Sequence, residues 1–385
     1  MWDPPAFSVS EDLPRFTLKY ASLTLYFGSY AIYELERGLK GCERVLVATG
    51  KRSAKESGAL DEVLSLLTKL GILYEVFDSV TPNPWASQAD SMAQRAWAFG
   101  ADAILAIGGG SVIDTAKVAA IIAVSGGRAA DYVYRRRKAK GWLPVYAVNL
   151  THGTGTEVDR YSVLTVEETG EKRGFVSIYP TASVDDPRYT LTLPRSQTVY
   201  TALDAFYHAY ESATQPGSSP FTEMLSRETA RLLRAWLPKA VEEPRDLEAR
   251  YWLLYASMLA GIAIDLNGTH VIHAIEHVLS AMNPKLAHGC GLALLGPRAA
   301  YYIHKLNPRA SAAVLVSLDS TIRPVPEDAE KAERAVREFQ RSVGFEEKLS
   351  DYGFSESDLP KMAEKSGNPL GFKTPDILDI LKHCL

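Results

Sequence analysis

Residues 102–117 read DAILAIGGGSVIDTAK, and this stretch decides the fold. Asp102 to Ile107 is a short apolar run of strand character that stops at Gly108, Gly109 and Gly110. The next segment, SVIDTAKVAAIIAVSGG, reads as a helix. Glycines at such a junction let backbone amides approach an anion closely, and the head of the helix adds positive partial charge. Ser111 supplies a further donor, and Lys117 a cation one to two turns down. The spacing is neither the dinucleotide fingerprint G-x-G-x-x-G nor a nucleoside-triphosphate loop. The expectation is a pyrophosphate-binding turn; the plainer alternative is a tight strand-to-helix turn with no ligand.

The neighbours of this stretch extend the alternation. Arg44 to Thr49 is a strand-like run ended by Gly50, and ALDEVLSLLTKLG carries Leu60, Val63, Leu64, Leu67 and Leu70 at helical spacing. ILYEVFDSV reads as a strand stopped by Asn83-Pro84, SQADSMAQRAWAFG as a helix closed by Gly100, and LPVYAVNL as a further strand. Such alternation predicts a mostly parallel sheet with helices on both faces. A second loop, NLTHGTGTEVDRYSVLT, sets the hydroxyls of Thr151, Thr154 and Thr156 beside Gly153 and Gly155, suited to polar cofactor edges or simply to a hydroxyl-rich turn. After DDPRYTLTLP the pattern changes to long amphipathic segments with almost no strand signal. The division falls at Asp186-Pro187, giving an α/β domain over 1–186 and an all-helical domain over 187–385.

With 385 residues, 46% hydrophobic and 23% charged, the chain has the profile of a two-domain globular protein. A formal net charge of −4 argues against nucleic acid or an anionic membrane as the main partner. The single basic run, Arg135 to Lys138, reads as a solvated loop. Three widely spaced cysteines (Cys42, Cys290, Cys384) indicate no disulfide framework. The start, MWDPPAFSVSEDLPRF, lacks the basic and apolar regions of a signal peptide, and no apolar stretch is long enough to span a bilayer. A reducing cytoplasm is the expected compartment.

Four of the eight histidines fall within GTHVIHAIEHVLSAMNPKLAHG: His270, His273, His277 and His288. Asp204 and His208, in TALDAFYHAYES, are four apart and share a helical face, so together they can bind a divalent ion. A surface ion pair is the commoner meaning of that spacing. His273 and His277 repeat it, and His288 lies past Asn283-Pro284, where the chain can turn back. Spacing does not say which of these histidines are ligands: His273 with His277 is the obvious pair, and His270 competes.

Taken together, TLYFGSYAIYEL, GGGSVIDTAK, GTGTEV, LDAFYHAYE and HAIEHVLSAMNPKLAHG resemble the iron-containing (group III) alcohol dehydrogenases over most of the chain. The resemblance implies a Rossmann-like α/β domain followed by an all-α domain, the architecture shared with dehydroquinate synthase. It implies Asp204, His208, His273 and His288 as metal ligands and His277 as a proton relay or positioning group, with no role for His270. It further implies that Gly108, Gly109, Gly110 and Ser111 bind the cofactor pyrophosphate, that Asp114 supports their loop, that Thr151 and Thr154 lie along the cofactor, and that Lys172 reaches the nicotinamide ribose. Departures are Leu150 and His152, where the family has threonine and alanine, and Ser280, where glycine is common.

An acid after the first strand would favour NAD by binding the ribose 2′-hydroxyl. Here Gly50, Lys51, Arg52 and Ser53 offer space, two cations and a hydroxyl, so NADP(H) is expected over NAD(H). One carboxylate and three imidazoles suit Fe²⁺, the ion the resemblance implies, and also Zn²⁺. Such an ion polarises an alcohol oxygen and steadies the alkoxide from which hydride leaves for the nicotinamide. Cys290, two residues past His288, reads as a bystander thiol rather than a soft ligand. The expected function is a metal-dependent NAD(P)-linked dehydrogenase of small alcohols and diols, or reductase of their aldehydes. The rivals are a glycerol dehydrogenase-like or dehydroquinate synthase-like enzyme, whose ligand sets contain fewer histidines, and a non-catalytic NADP-binding protein. A homodimer or higher homo-oligomer is expected, with the early segment SLTLYF as an edge strand pairing across it.

Overall fold

A computed structural model describes residues 13–385; residues 1–12 of the acidic, proline-bearing start lie outside the described residues. Among the described residues nine strands form: β1 (Phe16–Tyr20), β2 (Leu23–Phe27), β3 (Arg44–Gly50), β4 (Leu73–Val80), β5 (Ala103–Gly108), β6 (Val145–Asn149), β7 (Tyr161–Val166), β8 (Glu171–Val176) and β9 (Ala182–Asp185). Seven of them make one sheet in the order β1-β2-β9-β6-β5-β3-β4. Only β1 and β2 pair antiparallel; the other neighbours are parallel.

Every residue of β5 and β6 is buried, because helices cover both faces of the sheet. Side chains alternate along each strand. Leu46 and Ala48 of β3, with Ile104 and Ala106 of β5, pack beneath the helices Ala86–Phe99 and Gly110–Ser125. Val45, Val47, Leu105 and Ile107 pack on the opposite side, against Ala59–Lys69. Gly100 ends its helix in the left-handed region, as the sequence predicts.

Two expectations need correction. SLTLYF is not an edge: its residues Leu23–Phe27 form β2, which bonds to β1 on one side and β9 on the other. The sheet edges among the described residues are β1 and β4. The second loop is also shorter than read, since YSVLT opens β7, which folds back on β8 as a separate antiparallel hairpin. Its alternating pattern is too brief to separate from a hydroxyl-rich loop in sequence.

Beyond β9 the chain is helical. The helix Arg195–Thr214 runs through the middle of that half, and every residue from Leu203 to Thr214 is buried. Around it pack Pro220–Glu242, Leu247–Asn267 and His288–Leu306. Gly296 clears the Tyr207 ring, and Gly289 clears the Tyr200 carbonyl. No single described helix is long and apolar enough to cross a membrane, and the pair Leu247–Asn267 and Val271–Met282, apolar enough together, is bent by 102°.

Two of the contacts that join the halves show how closely they fit. Asp265 accepts hydroxyl hydrogen bonds from Tyr20 (2.8 Å) and Tyr179 (2.7 Å) and an amide from Arg160 (3.2 Å). Gly155, at φ +67°, lies directly on Gly261 of Leu247–Asn267. A Cβ on Gly261 would sit 2.6 Å from the Gly155 carbonyl oxygen and 2.7 Å from its Cα. Gly261→Ala is therefore expected to destabilise the protein by about 1–3 kcal/mol through overpacking against backbone. Thermal unfolding measures it, and an unchanged Tm would mean that the helix moves freely relative to the loop.

Candidate active site

The central helix carries Asp204 and His208 on one face, four residues apart. His273 lies in the first turn of Val271–Met282, and His288 opens His288–Leu306. Asn283 makes the return between them: its carbonyl accepts from Leu286 N (3.0 Å) and its side chain from Lys285 N (3.0 Å). One ligand-type atom from each of Asp204, His208, His273 and His288 lies within 4.8 Å of the others. The Nε2 atoms of the three imidazoles stand 3.5, 3.7 and 3.7 Å from Asp204 Oδ1, in chain order.

The far side of each ring is held. His208 Nδ1 lies 3.3 Å from the Gly153 carbonyl, and His273 Nδ1 lies 2.5 Å from Glu211. His288 Nδ1 is bonded to Glu276. A carboxylate or carbonyl behind each imidazole fixes the tautomer with Nε2 bare, the arrangement that presents a histidine to a metal. Asp204 Oδ1 and His273 Nε2 are buried and have no hydrogen-bond partner. Burial opposes charge on Asp204, but His208 and His288 beside it hold its carboxyl down at about 2. His273, buried between Asp204 and Glu211, is nonetheless pushed up to about 9 by those two acids. One carboxylate and three imidazoles, two of their facing atoms buried without partners, fit a divalent transition ion.

A second grouping brings together Glu276, His277 and His288. The Glu276 carboxylate is already engaged by Ser280, His288 and Lys172 (3.3 Å), so it suits a supporting role. The His277 ring lies 5.7 Å from that of His288 and 6.5 Å from that of His273, on the wall of the cleft. Burial and the nearby Lys172 charge hold His277 well below its ordinary value, so its imidazole is neutral.

The cleft lies between the two halves. Gly110, Ser111, Asp114, Thr154 and Lys172 line it from the sheet side, facing His208, His273, His277 and His288. The first intrahelical bonds run from Val112 and Ile113 to the Gly109 carbonyl, so the amides of Gly110 and Ser111 head the helix at the cleft. Added Cβ atoms on Gly109 and Gly110 would strike Thr151 and Thr154 at 2.8 and 2.5 Å, which is why this turn takes no side chain. Asp114 ties the helix to both neighbouring segments, accepting from Thr156 Oγ1 (2.5 Å) and Val163 N (2.9 Å). Thr151 bonds back to Asn149, and Gly108, Gly109 and Thr151 sit behind the cleft wall. Gly50, Lys51 and Ser53 lie at the end of β3, one strand over from β5 and outside the cavity beside the histidines. There Lys51 pairs with Asp78 (3.4 Å) and Arg52 with Glu56 (2.8 Å), all exposed.

Lys117 departs from expectation. It is fully buried and points away from the glycine turn, donating to Thr156 Oγ1 (2.7 Å), the Asp159 carbonyl (2.9 Å) and carboxylate (3.3 Å), and the Tyr161 carbonyl (3.0 Å). The Thr156 hydroxyl is likewise consumed inside the protein. The departures at Leu150 and His152 leave the cleft alone. Leu150 is core, and His152 is buried against Thr201 (3.1 Å) and Arg250 (3.1 Å), where burial and the Arg250 charge hold it at about 3. Cys290 faces Glu347 and Tyr352, away from the histidines.

Glu211 and Glu276 are site residues that sequence reasoning missed. Glu211 also accepts the Ile272 amide (2.6 Å), capping the helix that carries His273. The signal was present: Asp204, His208 and Glu211 share one face by their four- and three-residue spacing. Glu276, beside His277 in sequence, offers no comparable mark. His270 is not idle either: its Nδ1 lies 3.3 Å from Glu211, and its Nε2 bonds Thr214 (2.9 Å).

The sheet, the helical half and the site between them define a class, and comparison with known proteins agrees: the chain belongs to the iron-containing alcohol dehydrogenase family. The family's profile, described as iron-containing alcohol dehydrogenase, matches residues 23–187, and that of its C-terminal part matches residues 198–385. Among characterised relatives, the long-chain primary alcohol dehydrogenase AdhA of Thermoanaerobacter ethanolicus is 39% identical over 372 residues, 94% of this chain and 91% of that protein. The 1,3-propanediol dehydrogenase of Klebsiella pneumoniae is 34% identical, covering 89% of this chain and 91% of that one. Among solved structures, NADH-dependent butanol dehydrogenase A from Thermotoga maritima superimposes with a TM-score of 0.87 at 30% identity, covering 95% and 98% of the two chains.

Proposed function

We propose that this chain interconverts uncharged primary alcohols or diols and their aldehydes with NADP(H), using Fe²⁺ or Zn²⁺ held by Asp204, His208, His273 and His288. The observation that carries this is the convergence of three Nε2 atoms on the unpartnered Asp204 Oδ1, across a cleft from the head of the Gly110–Ser125 helix. A divalent ion supplies Lewis acidity toward the substrate oxygen. Glu211, the Gly153 carbonyl and Glu276 keep the three imidazoles aimed. Gly108, Gly109, Gly110 and Ser111, braced by Asp114, bind the pyrophosphate, with Thr151, Thr154 and Lys172 along the nicotinamide half. Neutral His277 gives or takes the proton at the cleft wall. Residues 1–186 serve as the cofactor domain and 187–385 as the metal-bearing domain.

Preference for NADP(H) is supported by the absence of an acid on the Gly50–Ser53 turn. The partners of Lys51 and Arg52 are exposed, and exposed pairs are worth about 0–1 kcal/mol, so a 2′-phosphate can displace them. The part of the cleft formed by Ile264, Gly268 and Thr269 carries no charge, which supports a neutral substrate. Three free cysteines accord with a reducing cytoplasm, and a homodimer or larger homo-oligomer is expected from light scattering.

The test is a panel of straight-chain aldehydes, alcohols and diols with both cofactors, after reconstitution with Fe²⁺ or Zn²⁺. NADPH is expected to give the higher kcat/KM. A ratio favouring NADH by more than about tenfold overturns the cofactor assignment. No turnover with any member, in protein that binds both metal and NADP, favours the non-catalytic alternative.

A further inference from the structure

His288 differs from the other three members of the quartet. Its side chain is 24% exposed, against 8% or less for Asp204, His208 and His273, and it stands at the first residue of its helix. Two of the groups that hold it, Lys172 and Asn83, come from the opposite half. Behind its ring, the buried Glu276 carboxylate accepts from His288 Nδ1, from the Ser280 hydroxyl and from Lys172 Nζ (3.3 Å). Lys172, on β8, also donates to Asn83 Oδ1 (3.0 Å). Asn83, in the loop after β4, donates through Nδ2 to the Pro284 (3.1 Å) and Leu286 (3.3 Å) carbonyls, on the turn that delivers His288. Asn83 is one of five non-glycine residues with positive φ among those described, at +50°, so its backbone is held in a costly conformation at this point.

We propose that Asn83, Lys172 and Glu276 form a positioning chain that fixes His288 from across the cleft, making metal affinity depend on the sheet-bearing half. The proposal rests on His288 being a ligand, as in the functional reading above. Charge supports it as well. Asp204, Glu211 and Glu276 bring three negative charges to the buried centre, and Lys172 brings one positive charge at 5% side-chain exposure. A divalent ion with three neutral imidazoles then makes the centre neutral. Without Lys172 and Asn83, Glu276 would be a lone buried carboxylate behind a ring no longer fixed at either end.

The experiment is calorimetric titration of chelator-treated, full-length protein with Zn²⁺, with circular dichroism and melting of each metal-free variant as the folding control. Glu276→Ala is expected to weaken Zn²⁺ binding about 10–100-fold, the usual effect of losing a histidine's outer partner. Glu276→Gln, which keeps an acceptor for Nδ1–H, is expected to recover part of that loss. Asn83→Gly keeps the left-handed turn and removes only the side chain; it is expected to weaken binding about tenfold. In the Co²⁺-loaded protein, both Glu276→Ala and Asn83→Gly should shift the visible absorption bands, which report ligand geometry. Wild-type Zn²⁺ affinity and Co²⁺ spectra in both variants, while His288→Ala loses binding, overturn the positioning chain alone. Wild-type affinity in His288→Ala as well overturns the ligand reading, and the chain with it.

Discussion

Asp204→Ala is expected to lose its metal and to lower the kcat/KM for aldehyde reduction by about 10³-fold or more. Asp204 is the one carboxylate in the quartet and the atom on which all three Nε2 atoms converge. It is buried, and its Oδ1 makes no hydrogen bond that would give it another purpose. Removing it strips the only ligand charge that offsets a divalent ion and leaves three imidazoles facing an apolar gap. Lewis-acid assistance is worth several kcal/mol in the transition state, and each 1.4 kcal/mol is about tenfold in rate. Elemental analysis of the purified variant and steady-state kinetics with added Fe²⁺ or Zn²⁺ check it. A variant that keeps one equivalent of tightly bound metal and wild-type kcat/KM would remove Asp204 from the site.

Lys117→Met carries the largest expected effect on stability, about 3–5 kcal/mol, because breaking a buried charge cluster leaves uncompensated charge. Lys117 is the cation at the centre of the Asp114, Thr156 and Asp159 network that joins the glycine-turn helix to β7. Methionine matches its length but satisfies none of its four acceptors. Burial pushes Asp159 up to about 8 even with Lys117 beside it, and raises Asp114 in the same direction. A carboxyl raised on folding binds its proton more tightly in the native state, so it costs stability as pH rises from the unfolded value toward the folded one. Loss of the lysine raises these groups further. The deficit of the variant should therefore be smaller near pH 5, where the acids are protonated, than near pH 8. Denaturant unfolding at the two pH values measures it; an equal deficit at both would mean that lost packing, rather than stranded charge, dominates.

The contrast between Lys117 and the glycine turn illustrates what a one-dimensional pattern carries. Strands β3, β5 and β6 announce themselves because both their faces are buried, so apolar character runs unbroken along them. Gly108 to Gly110 announce themselves because three successive positions exclude a side chain. Lysine near such a turn suggests an anion, and nothing in its spacing shows that its stem threads back between Asp159 and Tyr161. The place of β2 was equally hidden, since its neighbour β9 comes from the far end of the α/β half. Asp204 and His208 stand out by helical spacing. Sorting the later histidines is a different matter: it depends on what sits behind each ring, and Gly153, Glu211 and Glu276 come from three separate elements. In the sequence, only the resemblance to a family proposes such a sorting.

The pairing of β2 with β9 has a consequence for how the chain is made. Thr24 bonds in register to Ala182, and β9 alone connects the β1–β2 ribbon to the rest of the sheet. On the ribosome, the ribbon must wait until nearly the entire α/β half has emerged before it has a place to go. Meanwhile Leu23, Leu25 and Phe27, all buried in the finished protein, stay open to water. Contacts so distant in sequence close late and slowly, and unpaired strands in waiting are sites of aggregation. Pairing with β9 does not end the exposure, because these three side chains enter the core of the helical half, with Phe27 against Tyr251 and Tyr255. Translation that halts before Leu247–Asn267 is complete would thus release a sticky fragment, and chaperone demand should fall only once that helix clears the exit tunnel.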